Sequence, residues 1–158
     1  MNRLCLGCGN NPLAIEGNGL TVNHDLRLDP QRPWVTAAHD LNELPWPWED
    51  NSFDQIIART VLEHLRINLL ESLDECWRIL RPGGWIWLKV PYYCSERSYD
   101  DPTHYWRFGQ GALDVFDPDT KAGQEYAFYT ERKWRIIERP KLNKAKSSFS
   151  AKLMVRKT

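Results

Sequence analysis

The sequence lacks any apolar run near the roughly 18 residues of a membrane-crossing helix, so no helical span and no membrane partner are expected. Its start, Met1-Asn2-Arg3-Leu4-Cys5-Leu6-Gly7, is too short and too soon broken by glycine for a secretory signal, which sets the expectation of a cytoplasmic protein. Cysteine is sparse, with four residues that stay reduced in such a compartment. Cys5 and Cys8 form a lone C-x-x-C pair. Cys76 and Cys94 supply no second close pair, so the four ligands of a structural zinc site are missing and no metal is expected. Formal net charge is zero, so no whole-molecule field draws the chain to nucleic acid or membrane. The chain has no internal repeat or low-complexity tract. The dinucleotide fingerprint G-x-G-x-x-G is broken by Pro12, which stands where its third glycine belongs and argues against a nicotinamide dehydrogenase.

What is present suits one globular domain over 1–158, since 42% hydrophobic residues in a chain of this length can enclose a core. Charge is uneven. From Thr130 onward ten Lys/Arg face two Asp/Glu, and the rest of the chain is acidic in compensation. A basic stretch of this kind is either a solvated edge or a contact for an anionic partner.

Short apolar segments alternate with turns and helical patterns, as in an α/β fold with a mainly parallel sheet. Strands are predicted at Arg3 to Leu6, Leu20 to His24, Val35 to His39, Phe53 to Ala58 and Trp85 to Val90. Leu62, Leu65, Leu69, Leu73, Cys76, Trp77 and Leu80 recur at steps of three and four, predicting one long helix. Thr60-Val61-Leu62-Glu63 fits a capping box at its start, Arg78 and Arg81 suit its end, and Pro82-Gly83-Gly84 stops it. Only Asn10 to Gly19 separate the first two strands, so the connection there is a short helix or a loop. Ser95 to His104 reads as a loop, Gln110 to Phe116 as a short helix, and Lys133 to Glu138 with Ala151 to Arg156 as two final antiparallel strands.

Three polar features follow predicted strands, and so fall at the carboxyl ends where open α/β sheets bind ligands. Gly7-Cys8-Gly9 allows a sharp turn and close approach of a ligand to the backbone. Asp25 can accept both hydroxyls of a ribose, or form an Asx turn toward Asp29-Pro30. Asp40, in Asp40-Leu41-Asn42, can accept an adenine amino group or serve as a turn or cap residue.

The segments Leu4-Cys-Leu-Gly-Cys-Gly, Asp40-Leu-Asn-Glu-Leu-Pro, Asn51-Ser-Phe-Asp-Gln-Ile-Ile-Ala, Val61-Leu-Glu-His-Leu and Arg78-Ile-Leu-Arg-Pro-Gly-Gly resemble those of class I S-adenosylmethionine-dependent methyltransferases, in order and spacing, over roughly Leu4 to Pro91. The resemblance implies a Rossmann-like, mostly parallel seven-stranded sheet with helices on both faces and a C-terminal antiparallel hairpin. It implies a cofactor half over about 1–91, and an acceptor-side loop with the hairpin over about 92–158. It further implies that S-adenosylmethionine lies against Leu6, Gly7, Cys8 and Gly9 at its methionine end. Asp25 then holds the ribose, Asp40 and Leu41 the adenine, and Arg59 lines the pocket through its backbone. Two departures stand out: Cys5 replaces a usual acidic residue, and Asn11 replaces a frequent glycine, where its tolerance of a left-handed backbone makes the change mild. The helix that usually precedes the first strand is not seen before Arg3.

A sulfonium methyl is already an electrophile, so transfer by in-line displacement mainly needs an acceptor held in place, with a base only where the acceptor is protonated. His104, in Asp100-Asp101-Pro102-Thr103-His104-Tyr105-Trp106-Arg107, and His64 are the candidate catalytic residues. Each also has a plain structural role open to it, beside an Asp-Pro turn and near a helix start. Most of the eight tryptophans read as core or sheet-face residues. The expected activity is methyl transfer to a small-molecule acceptor. The alternatives are a non-catalytic cofactor- or partner-binding relative, and a nucleic-acid methyltransferase using the basic stretch. The last is not favoured, because Arg59-Thr60-Val61-Leu62 stands where base-amino methylation carries Asn/Asp-Pro-Pro-Tyr.

Overall fold

The computed structural model describes residues 1–157. Seven strands share one sheet in the order β3-β2-β1-β4-β5-β7-β6. They are β1 Arg3–Leu6, β2 Thr21–Asp25, β3 Ala37–Ala38, β4 Phe53–Arg59, β5 Leu80–Pro91, β6 Trp134–Leu142 and β7 Ser148–Val155. β1 to β5 pair in parallel, and β7 runs antiparallel between β5 and β6. This is the mainly parallel α/β sheet that the alternating pattern predicts, with the seven strands and C-terminal antiparallel hairpin that the resemblance implies. The strand order reverses at β1, which opens a crevice at the carboxyl ends of β1, β2 and β4.

Alternation along each strand sorts side chains to two faces. Leu4, Leu6, Ile56, Ala58, Ile86, Leu88, Val90, Ala151 and Leu153 point to one face and form the main core. Against it packs α1, Leu69–Ile79, through Leu73, Cys76 and Ile79, each 0% exposed. Burying a leucine this fully stabilises by about 1.5–3 kcal/mol. Leu113 and Phe116 of the 3-10 segment Gln110–Phe116 join the same core. The second face, where helices are also expected, carries loops beside β1 and β2. There Cys5, Cys8 and Val35 are buried under Leu13 and Trp34. Trp85, Trp87, Lys89, Lys152 and Met154 lie further along that face, half-buried.

The long helix predicted from Leu62 starts seven residues later. Thr60 takes a left-handed backbone (φ 50°) as the chain leaves β4, Leu62–His64 is a single 3-10 turn, and Leu65 is extended. The capping box that operates is Asn68–Glu71. The Asn68 side chain accepts from the Glu71 amide at 3.0 Å, and the Glu71 carboxylate accepts from the Asn68 amide at 2.8 Å. Glu63 cannot serve as a cap because its side chain is turned inward, 1% exposed. The helix ends at Ile79, and Pro82-Gly83-Gly84 fall inside β5, which starts at Leu80. Arg78 closes the helix by reaching the carbonyls of Trp46 and Trp48 and the carboxylates of Glu75 and Asp50. Arg81 lies in β5 and pairs with Asp54 instead. Among the described residues no helix is long and apolar enough to cross a membrane.

Candidate functional site

Three cavities follow one another along the carboxyl ends of the strands. The largest, about 350 Å³, is lined by Gly7, Asp25, Asp40, Leu41, Val61 and His64 among others. A second, about 220 Å³, lies around Cys5, Gly7, Cys8, Gly9, Arg59 and Thr60. A third, about 310 Å³, is walled by Thr60, Glu63, His64, Asp101 and His104 among others. Gly7 is common to the first two, His64 to the first and third, and Thr60 to the second and third.

Local folding explains the crevice. Gly7 and Gly9 both take left-handed backbones (φ 55° and 49°), which turn the chain sharply after β1. A Cβ on Gly7 would sit 2.6 Å from Val61 Cγ2, so the space there depends on glycine. Asn11 does not share that conformation. The turn is held from behind by His24, whose Nδ1 accepts the Gly7 amide at 3.3 Å. Its Nε2 therefore carries the proton and donates to the His39 carbonyl at 2.9 Å. Burial holds the His24 ring below the usual histidine range, partly offset by that carbonyl.

Asp25 lies at the end of β2 and faces the first of these cavities. Its Oδ2 accepts the Gly9 amide at 3.2 Å and the Arg32 guanidinium at 2.5 Å, and its Oδ1 accepts the Leu26 amide at 2.7 Å. A carboxylate offers about four acceptor positions, so most of its capacity is already engaged. Asp40 Oδ1 accepts from the amide and the side chain of Asn42 at 2.9 and 2.8 Å. The Asn42 amide holds the Asp40 carboxyl below the usual range, opposed by burial and helped by the Asn42 side chain. Leu41 is buried, and its carbonyl accepts from Trp46 Nε1 at 3.0 Å.

The candidate cofactor residues thus divide between two cavities. Asp25, Asp40 and Leu41 line the larger, and Cys8, Gly9 and Arg59 the smaller. Leu6 is 0% exposed and belongs to the core under the turn. Cys5 lines the smaller cavity as a buried thiol pushed up to about 12 by desolvation, so no carboxylate stands there.

In the third cavity His64 and His104 meet edge to face with centroids 4.6 Å apart. Thr103 Oγ1 donates to Asp101 Oδ1 at 2.7 Å, so it accepts the proton of His64 Nδ1 at 2.9 Å. His104 Nε2 stands 3.9 Å from Asp101 Oδ2, and its Nδ1 is buried without a partner. Both Glu63 carboxylate oxygens are likewise buried without a partner, and burial pushes that carboxyl up to about 7. The Glu63 carbonyl accepts from the Tyr105 amide at 2.8 Å, which pins the loop after β5 against the 3-10 turn. Sequence reading missed His24, Arg32 and the inward turn of Glu63. Only the last had a signal, its place in Val61-Leu62-Glu63-His64-Leu65.

A family model described as a methyltransferase domain matches residues 4–88. Similar solved structures include an S-adenosylmethionine-dependent methyltransferase from Archaeoglobus fulgidus (TM-score 0.62, 14% identity, covering 97% of this chain and 85% of that one). Another is from Aquifex aeolicus (TM-score 0.58, 16% identity, 99% and 82% covered). A third is the cyclase SpnF (TM-score 0.59, 13% identity, 99% and 74% covered). No curated protein matches the chain. The chain belongs to the class I S-adenosylmethionine-dependent methyltransferase family.

Proposed function

We propose that the chain binds S-adenosylmethionine across the two cavities that share Gly7, and transfers its methyl group to a small acceptor held in the third. The observation that carries this reading is the succession of the cavities: Thr60 and His64 are walls that the third shares with the other two. When bound, the cofactor supplies an electrophilic sulfonium methyl. Asp25 accepts from the ribose hydroxyls with what capacity Arg32 and Gly9 leave it. Asp40, through its free oxygen, accepts the adenine amino group, and Leu41 flanks the ring. Gly7, Cys8 and Gly9 let the backbone lie close to the methionine end over Leu6, and the half-buried Arg59 offers a cation to its carboxylate.

On the acceptor side the walls orient the nucleophile and exclude water, which supplies much of the rate of a displacement. His104 Nδ1 faces no protein partner, and is the atom placed to take a proton from a protonated acceptor. A third cavity of about 310 Å³ suits a small molecule. Its charged lining is Glu63, Asp100 and Asp101 against Arg97 alone, which disfavours a phosphodiester chain. The test is calorimetric titration with S-adenosylmethionine and S-adenosylhomocysteine, followed by an acceptor panel read by S-adenosylhomocysteine release. Micromolar binding with turnover of any acceptor supports the reading; no binding at millimolar ligand by the folded protein overturns it.

A second reading, binding without catalysis, is favoured by Cys5 standing where the family usually places an acid, and by the engagement of Asp25 with Arg32. Turnover of any acceptor refutes it.

A further inference from the structure

The geometry points to a divalent transition-metal site formed by Glu63, His64 and His104 in the third cavity, whose open coordination positions face the acceptor. The inference rests on reading that cavity as the acceptor site, and names what would hold the acceptor there.

One ligand atom from each of the three side chains lies within 4.8 Å of the other two. An ion bound at about 2.0–2.2 Å from each ligand would hold them up to about 4.4 Å apart, so small side-chain rotations complete the shell. A buried carboxylate without a hydrogen bond is costly. Glu63 is 1% exposed with both oxygens unpartnered, and a cation beside it would repay that cost.

The rings are also prepared for ligation. Asp101, through the Thr103 hydroxyl, fixes the proton of His64 on Nδ1 and leaves the Nε2 lone pair free. The same carboxylate stands 3.9 Å from His104 Nε2, on the far side of the ring from the unpartnered, buried Nδ1. A carboxylate hydrogen-bonded behind a ligating histidine, as Asp101 is to His64 through Thr103, sets its tautomer and raises its basicity. Two imidazoles and one carboxylate suit Zn²⁺, Fe²⁺ or Mn²⁺ and leave positions open. The surrounding charge agrees, since Asp100 and Asp101 add to Glu63 and Arg97 is the one cation in the lining. The bound ion would select an acceptor with an oxygen donor, a hydroxyl or carboxylate. It would lower the pKa of a bound hydroxyl, so the two histidines would serve as ligands and need not take its proton.

The experiment is titration of the chelator-treated chain with Co²⁺, read by visible d–d absorption, then displacement by Zn²⁺. The same samples are titrated with S-adenosylhomocysteine. We expect one ion per chain, displaced by Zn²⁺. Affinity should fall at least tenfold in Glu63→Gln and in His104→Gln, and tenfold or more in Asp101→Asn, with S-adenosylhomocysteine affinity unchanged in all three. If Glu63→Gln does not fold, His104→Gln decides. Wild-type protein that binds S-adenosylhomocysteine but no Co²⁺ overturns the metal site and leaves the proposed function standing. Co²⁺ binding unaltered by either ligand substitution also overturns it, and assigns the ion to other groups such as the Cys5 and Cys8 thiols. Co²⁺ binding lost on substitution, in a protein that binds no S-adenosylhomocysteine, keeps the metal site and overturns the methyltransferase reading.

Discussion

His24 Nδ1 accepts the amide proton of Gly7, so a ring buried in β2 holds the glycine turn that follows β1. Protonation of Nδ1 would remove that acceptor. The folded-state pKa of His24 lies below its ordinary value of 6.5, because burial disfavours the charged ring. Its contribution to stability is therefore intact above pH 6.5 and is lost as pH falls from there through the lower folded value. His24→Gln should flatten the fall in unfolding free energy between about pH 7 and pH 5, by up to about 1.4 kcal/mol per pH unit. Denaturant unfolding of both proteins across that range checks this; parallel curves would show that the ring does not titrate as described.

Asp25 and Arg32 make an opposed pair of predictions. Asp25→Ala removes the proposed ribose acceptor and should weaken S-adenosylhomocysteine binding by roughly 1.5–3 kcal/mol for each charge-assisted hydrogen bond lost. Arg32→Ala releases Oδ2 of Asp25 to accept from the ligand, so it should tighten binding several-fold. Calorimetry on both variants decides, and weaker binding in Arg32→Ala would mean that the guanidinium positions the carboxylate.

The two left-handed glycines should differ in tolerance. An alanine at Gly9 meets nothing within 4 Å, so Gly9→Ala pays only for its backbone conformation, about 1–2 kcal/mol. Gly7→Ala adds an overlap with Val61 Cγ2 at 2.6 Å on a β-branched side chain that turns poorly. We expect a larger loss of stability and a weakened cofactor affinity, since Gly7 lines two cavities. Equal unfolding free energies for the two variants would contradict this.

Asn68→Ala should cost about 1 kcal/mol by removing the cap of α1. It stands outside all three cavities, so S-adenosylhomocysteine affinity should not move. A matching loss of affinity would couple α1 to the crevice.

Much of this fold is written locally. Leu4 and Leu6, then Ile86, Leu88 and Val90, alternate with the period of a strand, and that period alone sets the buried face. The carboxyl-end positions of Gly7, Asp25 and Asp40 follow directly from where the strands stop. The helix start is ambiguous in the sequence because one capping pattern, Thr60–Glu63, precedes the apolar stripe and a second, Asn68–Glu71, lies within it. Burial of Glu63, a tertiary matter, decides between them. His24 was hidden by its place inside a strand. Arg32 met Asp25 through a loop whose path no pattern encodes. The meeting of Glu63 and His64 with His104 depends on the fold of the segment after β5, forty residues along, where the sequence offers polar residues and no periodicity.

The sheet also dictates an order of assembly. Among the described residues β6 pairs only with β7, and β7 alone joins it to β5. During synthesis Trp134–Leu142 leaves the ribosome first, yet has no neighbour to bond until Ser148–Val155 follows. Its amides and carbonyls wait in water, an open edge able to pair with another nascent chain. The cations Arg135, Arg139 and Lys141 in that strand repel a second copy of the same segment during the delay.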